Sequence, residues 1–316
     1  MQTKRQWMVS HEWMVKPMQQ MEWIQGEGIL IWLAEVFSSL GTGLYLVAIM
    51  VGSWWGALIG WLIIMLLKLP LHLVYLGKPL RFWRALPPFT RAWRTSWIAR
   101  GFFFTTVYSG VGLIQLILGY YLMTNYGVDN PASGGIVILD FGIKVLAGIL
   151  CVLTAVYCGF MMSFCKSVPF WNTGLLPIVI MNAGIADGLA LVIGIGLFTS
   201  GLDIHYLESI TRILIIVNIG LIGTYLLNSF YQSETAKLSA KRMLVGEVAL
   251  SFWIGVVILG IVLPLAISIA GYFTEEISHM GLYIAIAAHT IGAFALKYCI
   301  LKVGIYKPLI PKAKIK

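Results

Sequence analysis

Long apolar runs recur along the whole chain, separated by short polar segments. A run of about 20 apolar residues crosses a bilayer as a helix, because a helix satisfies its own backbone in hydrocarbon. The pattern predicts eight spans, roughly 29–51, 54–76, 97–122, 137–163, 174–200, 206–231, 245–272 and 279–302. Little more than Gly52 and Ser53 joins the first two. The expected fold class is all-α: a polytopic membrane protein of eight transmembrane helices, with the second half forming its own group, hence two four-helix bundles. Residues 1–28 hold no apolar core of the kind a signal peptide needs. Their Trp7, Trp13 and Trp23, mixed with methionines and charges, suit an N-terminal interfacial segment. Residues 29–302 form the transmembrane domain and 303–316 a basic C-terminal tail.

Polar positions inside the spans carry the next information, because ionisable groups are costly in hydrocarbon. Glu35, Ser38, Ser39, Thr42 and Tyr45 follow helical spacing and form a stripe on one face of span one. Read as small helix-contact residues, the hydroxyls need no further role; the carboxylate needs a partner. At 1.5 Å per residue, Glu35 lies about 9 Å inside the start of span one. Lys68 and His72, an i, i+4 pair on span two, lie about 12 and 6 Å from the same side, and Tyr157 on span four about 9 Å. Three helices thus bring an acid, a cation, a base and a phenol to one level, the types needed to hydrogen-bond a carbonyl or hydroxyl and move its proton. The plainer alternative is a buried Glu35–Lys68 ion pair holding helices one and two together.

A second set lies deeper or toward the other side. Asp140 and Lys144 are i, i+4 on span four and are expected to pair. Asp187 stands alone near the middle of span five, and Arg212 lies on span six. With Glu35 these make a broken line of protonatable groups, a candidate proton path; internal pairing that only orients helices explains them equally.

Composition agrees with the membrane reading: 59% of residues are apolar, 11% are charged, and mean hydropathy is +0.87. The net charge of +9 does not point to nucleic acid, because Lys and Arg sit in the short loops. Lys78, Arg81, Arg84, Arg91 and Arg94 follow span two; Lys166 follows span four; Lys237, Lys241 and Arg242 follow span six; Lys307, Lys312, Lys314 and Lys316 end the sequence. The opposite loops hold Asp129, Asp203, Glu275 and Glu276 and no Lys or Arg. The positive-inside rule therefore places both termini and the basic loops in the cytoplasm. Cys151, Cys158 and Cys165 are spaced by seven, as small residues on a packing face. No CxxC pattern occurs, so no metal site is expected.

Two stretches resemble the membrane subunits of the polysulfide reductase/NrfD family. One is HLVYLGKPLRFWRAL (His72 to Leu86) followed by SWIARG (Ser96 to Gly101); the other is YCGFMMSFCKSVPFWNTGLLP (Tyr157 to Pro177). The resemblance implies a membrane anchor with no haem or iron–sulfur cluster of its own. Such subunits bind a quinone, usually menaquinone, and exchange electrons with a ferredoxin-like iron–sulfur subunit. That subunit is wired to a molybdopterin catalytic subunit acting on polysulfide, thiosulfate, tetrathionate, sulfite or formate in anaerobic respiration. In the family a Tyr near the end of span four bonds the quinone, and Tyr157 matches it. A family His near the start of span one is absent here, where LAEVF supplies Ala34 and Glu35, so its role passes to Glu35 or His72. The implied site comprises Tyr157, Glu35, Lys68 and His72, with electrons passing beneath Trp171 and Asn172. Lys78, Arg81, Arg84 and Arg100 would hold the partner or lipid phosphates. The resemblance puts quinone and cluster on the side that charge makes cytoplasmic, whereas many relatives carry the catalytic subunit outside.

Two alternatives stay open. A secondary transporter or ion channel would use Glu35, Lys68 and Asp187, without the repeat or broken-helix pairs many transporters show. A haem b anchor would need His72 and His289 as facing axial ligands.

Overall fold

In the computed structural model, residues 14–85, 87–126, 132–199, 201–274 and 278–310 are described. Among them are eight helices long and apolar enough to cross a membrane: α1 (Gly28–Val51), α2 (Trp54–Tyr75), α3 (Trp97–Asn125), α4 (Gly135–Ser163), α5 (Leu175–Gly196), α6 (Ile204–Gln232), α7 (Ser251–Phe273) and α8 (His279–Lys302). Trp7, Trp13, Asp129, Glu275, Glu276, Lys312, Lys314 and Lys316 lie outside the described residues.

Helix α1 packs along α5, which also meets α4 and α6, so the first four and last four spans are joined through a central α1–α5 pair. Lipid supplies little hydrophobic drive between helices, so close backbone approach has to hold the pair. Gly43 provides it: an added Cβ would lie 1.8 Å from the Gly184 carbonyl oxygen and 3.3 Å from the Gly188 nitrogen. In the second half, Gly260 and Gly292 bring α7 and α8 together, a Cβ on Gly292 falling 2.2 Å from the Gly260 Cα. The Trp32 Nε1–H donates to the Phe294 carbonyl at 3.1 Å and joins α1 to α8 across the halves.

Two spans change their winding midway. Ile63–Lys68 of α2 and Ser251–Val262 of α7 are π-helical. Each stretch leads into a proline, Pro70 and Pro264, whose missing N–H and bulky ring disrupt the preceding turn. A wider turn absorbs the clash and leaves carbonyls without a helical donor.

Between α6 and α7 the backbone forms a surface helix, Glu234–Val245, rather than an open basic loop. Ser233 caps it, accepting from the Ala236 N–H at 3.1 Å. Ala236, Ser239, Ala240 and Met243 are buried at helical spacing. Its buried face is short and shares the helix with Glu234, Lys237, Lys241 and Arg242, so hydropathy does not reveal it.

The segments before α1 and after α8 meet on this same basic face. Strand β1 (Met18–Gln19) pairs antiparallel with β2 (Ile305–Tyr306), Met18 opposite Tyr306. Gln20 is buried, and its side-chain amide donates to the Leu301 carbonyl. Trp23 packs on Trp171 with ring centroids 5.1 Å apart. Residues ahead of α1 are therefore bound to the tail and to the α4–α5 turn.

Candidate functional site

Glu35, Lys68, His72 and Tyr157 are 5, 3, 5 and 2% exposed, so none of these groups faces lipid. The Lys68 ammonium donates to Thr105 Oγ1 at 2.8 Å and lies 5.0 Å from the Tyr157 ring centroid. The His72 ring stands 6.5 Å from the Tyr157 ring and 5.5 Å from Phe102. Glu35 lies within electrostatic reach of Cys158, Lys68 and Lys297. The structure therefore brings together the four groups that depth alone placed at one level.

It does not pair Glu35 with Lys68. Among the described residues no Glu35–Lys68 contact falls within 4.0 Å; Thr105 Oγ1 accepts the hydrogen bond from the ammonium instead. Cys158 is buried on α4, as a small packing residue would be.

Helix α3 contributes what sequence reasoning missed. A Cβ on Gly101 would lie 2.2 Å from Tyr157 Cδ2, so the absence of a side chain there gives the phenol its place. Thr105 follows one turn later on the same face. Gly101 at the end of SWIARG was the available signal: a glycine inside a helical apolar run has a packing reason. Lys297 on α8 was missed too. It is 6% exposed and lies within electrostatic reach of Glu35, Asp187 and Cys158.

Other expected site residues are placed differently. Trp171 is 1% exposed, and its indole N–H donates to the Ile300 carbonyl at 2.9 Å. Gly304 makes room for it, a Cβ there falling 2.8 Å from Trp171 Cζ2. The Asn172 side-chain amide donates to the Ser163 carbonyl at the end of α4, and its own backbone carbonyl accepts from Gln232 at 2.7 Å. Both latch the α4–α5 turn, and these polar groups are committed to protein partners. Arg100 is also committed: it donates to the carbonyls of Trp93 (2.9 Å) and Arg94 (2.8 Å) and lies 4.6 Å from the Trp97 ring. It orders the turn into α3 and is not a free docking cation. Lys78, Arg81 and Arg84 are exposed on the basic face, Arg84 over Trp83.

Asp140 and Lys144 pair at 2.7 Å, as expected. Asp187 is not alone: its Oδ1 lies 3.2 Å from His289 Nε2. His289 Nδ1 lies 2.8 Å from the Gly260 carbonyl, so both ring nitrogens face protein oxygens and neither is offered to a haem. Arg212 lies 3.8 Å from Glu208, another residue missed, and donates to Ser268 Oγ at 2.9 Å. Among the described residues no three His, Cys, Asp or Glu side chains gather as a metal site would require.

Residues 53–308 match the family model described as polysulphide reductase, NrfD. The sequence is 28% identical over 170 residues to the C subunit of polysulfide reductase from Wolinella succinogenes, covering 51% of this protein and 53% of that one. It is 24% identical over 169 residues to the NrfD homolog of Haemophilus influenzae, covering 51% and 52%. It is 28% identical over 171 residues to NrfD of Escherichia coli, covering 52% of each. The similarity spans about half the length of these curated relatives. The family match itself extends from the start of α2 to the tail beyond α8, enclosing Lys68, His72, Gly101 and Tyr157, and on that extent the protein belongs to the NrfD polysulphide reductase family.

Proposed function

We propose that the protein is the quinone-reactive membrane anchor of a respiratory reductase complex, passing electrons between a quinone and a ferredoxin-like iron–sulfur subunit. A molybdopterin subunit of the polysulfide, thiosulfate, sulfite or formate type would perform the substrate chemistry. The observation that carries this reading is the Tyr157–His72–Lys68 group, buried together and walled by aromatic rings. Its donors fit a carbonyl-bearing ring: His72 Nδ1 is buried without a hydrogen-bond partner, and among the described residues no hydrogen bond engages the Tyr157 hydroxyl. A buried polar group left unpaired costs about 1–3 kcal/mol, and a ligand would remove that cost at His72 Nδ1. Phe102 and Phe82, with ring centroids 6.3 Å apart, extend the aromatic wall from His72 toward the basic face.

A bound menaquinone, or another quinone, supplies the two-electron carrier. Tyr157 donates to one carbonyl oxygen. Glu35 or His72 holds the proton that is taken up or released. Thr105 fixes the Lys68 ammonium beside the phenol, where its charge favours electron density on the ring oxygen. Burial keeps water from these groups and strengthens each interaction. Lys78, Arg81 and Arg84 present positive charge to a partner or to lipid phosphates on the face where β1 and β2 lie. By the positive-inside rule that face is cytoplasmic and the protein resides in the cytoplasmic membrane. Proton transfer across the bilayer forms part of the same reading.

The test is Tyr157→Phe in the assembled complex. Quinol-linked turnover is expected to fall while subunit composition on gel filtration stays unchanged. Wild-type turnover in that variant would remove Tyr157 from the site.

A further inference from the structure

We infer that the protein holds a second isoprenoid quinone, apart from the group at Tyr157, in a pocket between α1, α3 and α4 on the membrane side opposite the basic face. The ring lies in a polar chamber under the α1–α2 turn and the prenyl chain in an apolar groove between α1 and α4. The ligand class rests on the proposed function; the pocket itself does not.

The chamber is a cavity of about 130 Å³, lined by Gly52 and Ser53 of that turn, Gln115 of α3 and Lys144 of α4 together with apolar side chains. Roughly 10–15 Å³ of such space holds one water, so the chamber has room for about ten, the size of a ring and not of a single ion. The Tyr45 hydroxyl donates to Gln115 Oε1 at 3.0 Å, and among the described residues no hydrogen bond engages the Gln115 amide N–H groups. Gln115 is 3% exposed, so these donors are buried at the chamber wall. A Cβ on Gly119 would lie 3.4 Å from Gln115 Nε2 and 3.1 Å from Trp54 Cδ1, so the glycine keeps the amide open. Lys144 pairs with Asp140 at 2.7 Å, which occupies one of its three N–H bonds and balances its charge. Two N–H donors in a wall of no net charge suit the carbonyls of a neutral ring. A phosphate would bring a negative charge with no cation left to balance it.

Lys144 and Ile49 also line a second, larger cavity of about 600 Å³, so chamber and groove meet at these two side chains. The groove is otherwise apolar, walled by Leu46 and Met50 from α1 and by Phe141, Val145, Ile149 and Leu153 from α4. From Phe141 to Leu153 the helix rises about 18 Å, slightly more than the depth of one leaflet, half of a core about 30 Å thick. A chain leaving the chamber therefore lies against protein across that leaflet. Gly148 deepens the groove, since a Cβ there would meet only the Ile49 and Leu46 Cδ1 atoms, at 3.5 and 3.7 Å. The level agrees with a ring rather than a headgroup. Gln115 lies ten residues before the end of α3 and Lys144 nine after the start of α4, about 15 and 14 Å in. Each of these 29-residue helices is about 43 Å long and overreaches the core by about 6 Å at either end, which leaves both Cα atoms below the lipid phosphates. A buried donor pair, a ring-sized chamber and a chain-length groove continuous with it together match a quinone and its tail.

The intact complex in phosphatidylcholine nanodiscs tests this with a photoreactive azido-menaquinone, the labelled peptides being identified by mass spectrometry. Label is expected near Tyr157 and, separately, on the α1 and α4 peptides around Ile49 and Lys144. Excess menaquinone should displace both, and added phosphatidylglycerol or phosphatidylethanolamine neither. Gly148→Leu fills the groove and is expected to lower the α1–α4 label about tenfold while leaving the label near Tyr157. The double variant Asp140→Asn, Lys144→Met removes the ammonium without stranding the carboxylate and should act in the same way, so it reports even if Gly148→Leu fails to assemble. Absence of α1–α4 label from the wild type, or its displacement by phospholipid, overturns the second site alone; wild-type labelling in both variants does so too. Label on α1 and α4 with none near Tyr157 upholds the second site and overturns the proposed role of Tyr157.

Discussion

Adding one methyl group at Gly101 tests the placement of the phenol without touching its chemistry. The new Cβ would lie 2.2, 2.4 and 2.6 Å from Tyr157 Cδ2, Cε2 and Cγ. Ordinary contact begins at 3.4 Å, so ring and helix must separate by at least 1.2 Å. Forced overpacking of this kind costs about 1–3 kcal/mol. A displacement of about 1 Å at a reacting group can lower a rate about a hundredfold. Intrinsic helix propensity works the other way, favouring Ala over Gly by about 1 kcal/mol. Gly101→Ala is therefore expected to change melting temperature little and quinol-linked turnover greatly. Gly110→Ala on the same helix is the control: a Cβ there meets nothing within 4 Å, so it should keep turnover and gain slight stability. The assays are turnover of a menaquinol analogue by the purified complex and thermal unfolding in the same detergent. Equal turnover in Gly101→Ala and Gly110→Ala would refute the argument, because the phenol would then tolerate a displacement the proposed site forbids.

Two further outcomes follow from single contacts. Thr105→Val removes the acceptor of the Lys68 proton and should destabilise the protein by about 1–3 kcal/mol, the cost of an unpaired buried group, while lowering turnover; Thr105→Ser should restore both, as melting and kinetics would show. Trp171→Phe should lose about 0.5–1.5 kcal/mol with its bond to Ile300, whereas Trp171→Ala should lose about 3–5 kcal/mol and release the tail, detected as faster proteolysis after Lys302. Neither Trp171 variant should lower turnover once the folded fraction is accounted for; a specific turnover defect in Trp171→Phe would return the indole to the quinone site.

Hydropathy makes the spans legible because each is a near-continuous apolar run, and the ends differ from expectation by a few residues. The surface helix at Glu234–Val245 escapes it because the buried face, Ala236, Ser239, Ala240 and Met243, is short and shares the helix with Glu234, Lys237, Lys241 and Arg242. Depth arithmetic brings Glu35, Lys68, His72 and Tyr157 to one level because rise per residue is nearly constant in a helix. It does not identify the partners, since depth says nothing about rotation about the helix axis. Depth alone therefore matches Lys68 with Glu35, whereas its hydrogen bond goes to Thr105, and it leaves Asp187 solitary, whereas His289 faces it. Trp171 and Asn172 enter the expected site only because they lie in the family-like stretch. Their polar groups instead fasten the turn that the same stretch encodes, so motif membership does not separate scaffold from chemistry.

The proline in α7 shows how a local backbone rule places a buried titratable group. Pro264 has no N–H with which to close the helical bond to the Gly260 carbonyl four residues earlier. In a span that carbonyl cannot turn to water and must find another donor. His289 Nδ1 is that donor, at 2.8 Å. It reaches because Gly260 and Gly292 let α7 and α8 approach until a Cβ on either would collide. With Nδ1 held in this way, the proton sits on the Gly260 side, and Nε2 turns its lone pair toward Asp187, 3.2 Å away. A neutral Nε2 beside an ionised carboxylate would be two acceptors facing each other. The two are not hydrogen-bonded: Nε2 is buried without a partner, 3.2 Å from the carboxylate. Proline, two glycines and a histidine on two helices thus hold a buried imidazole against α5, the helix that packs directly on the one bearing Glu35.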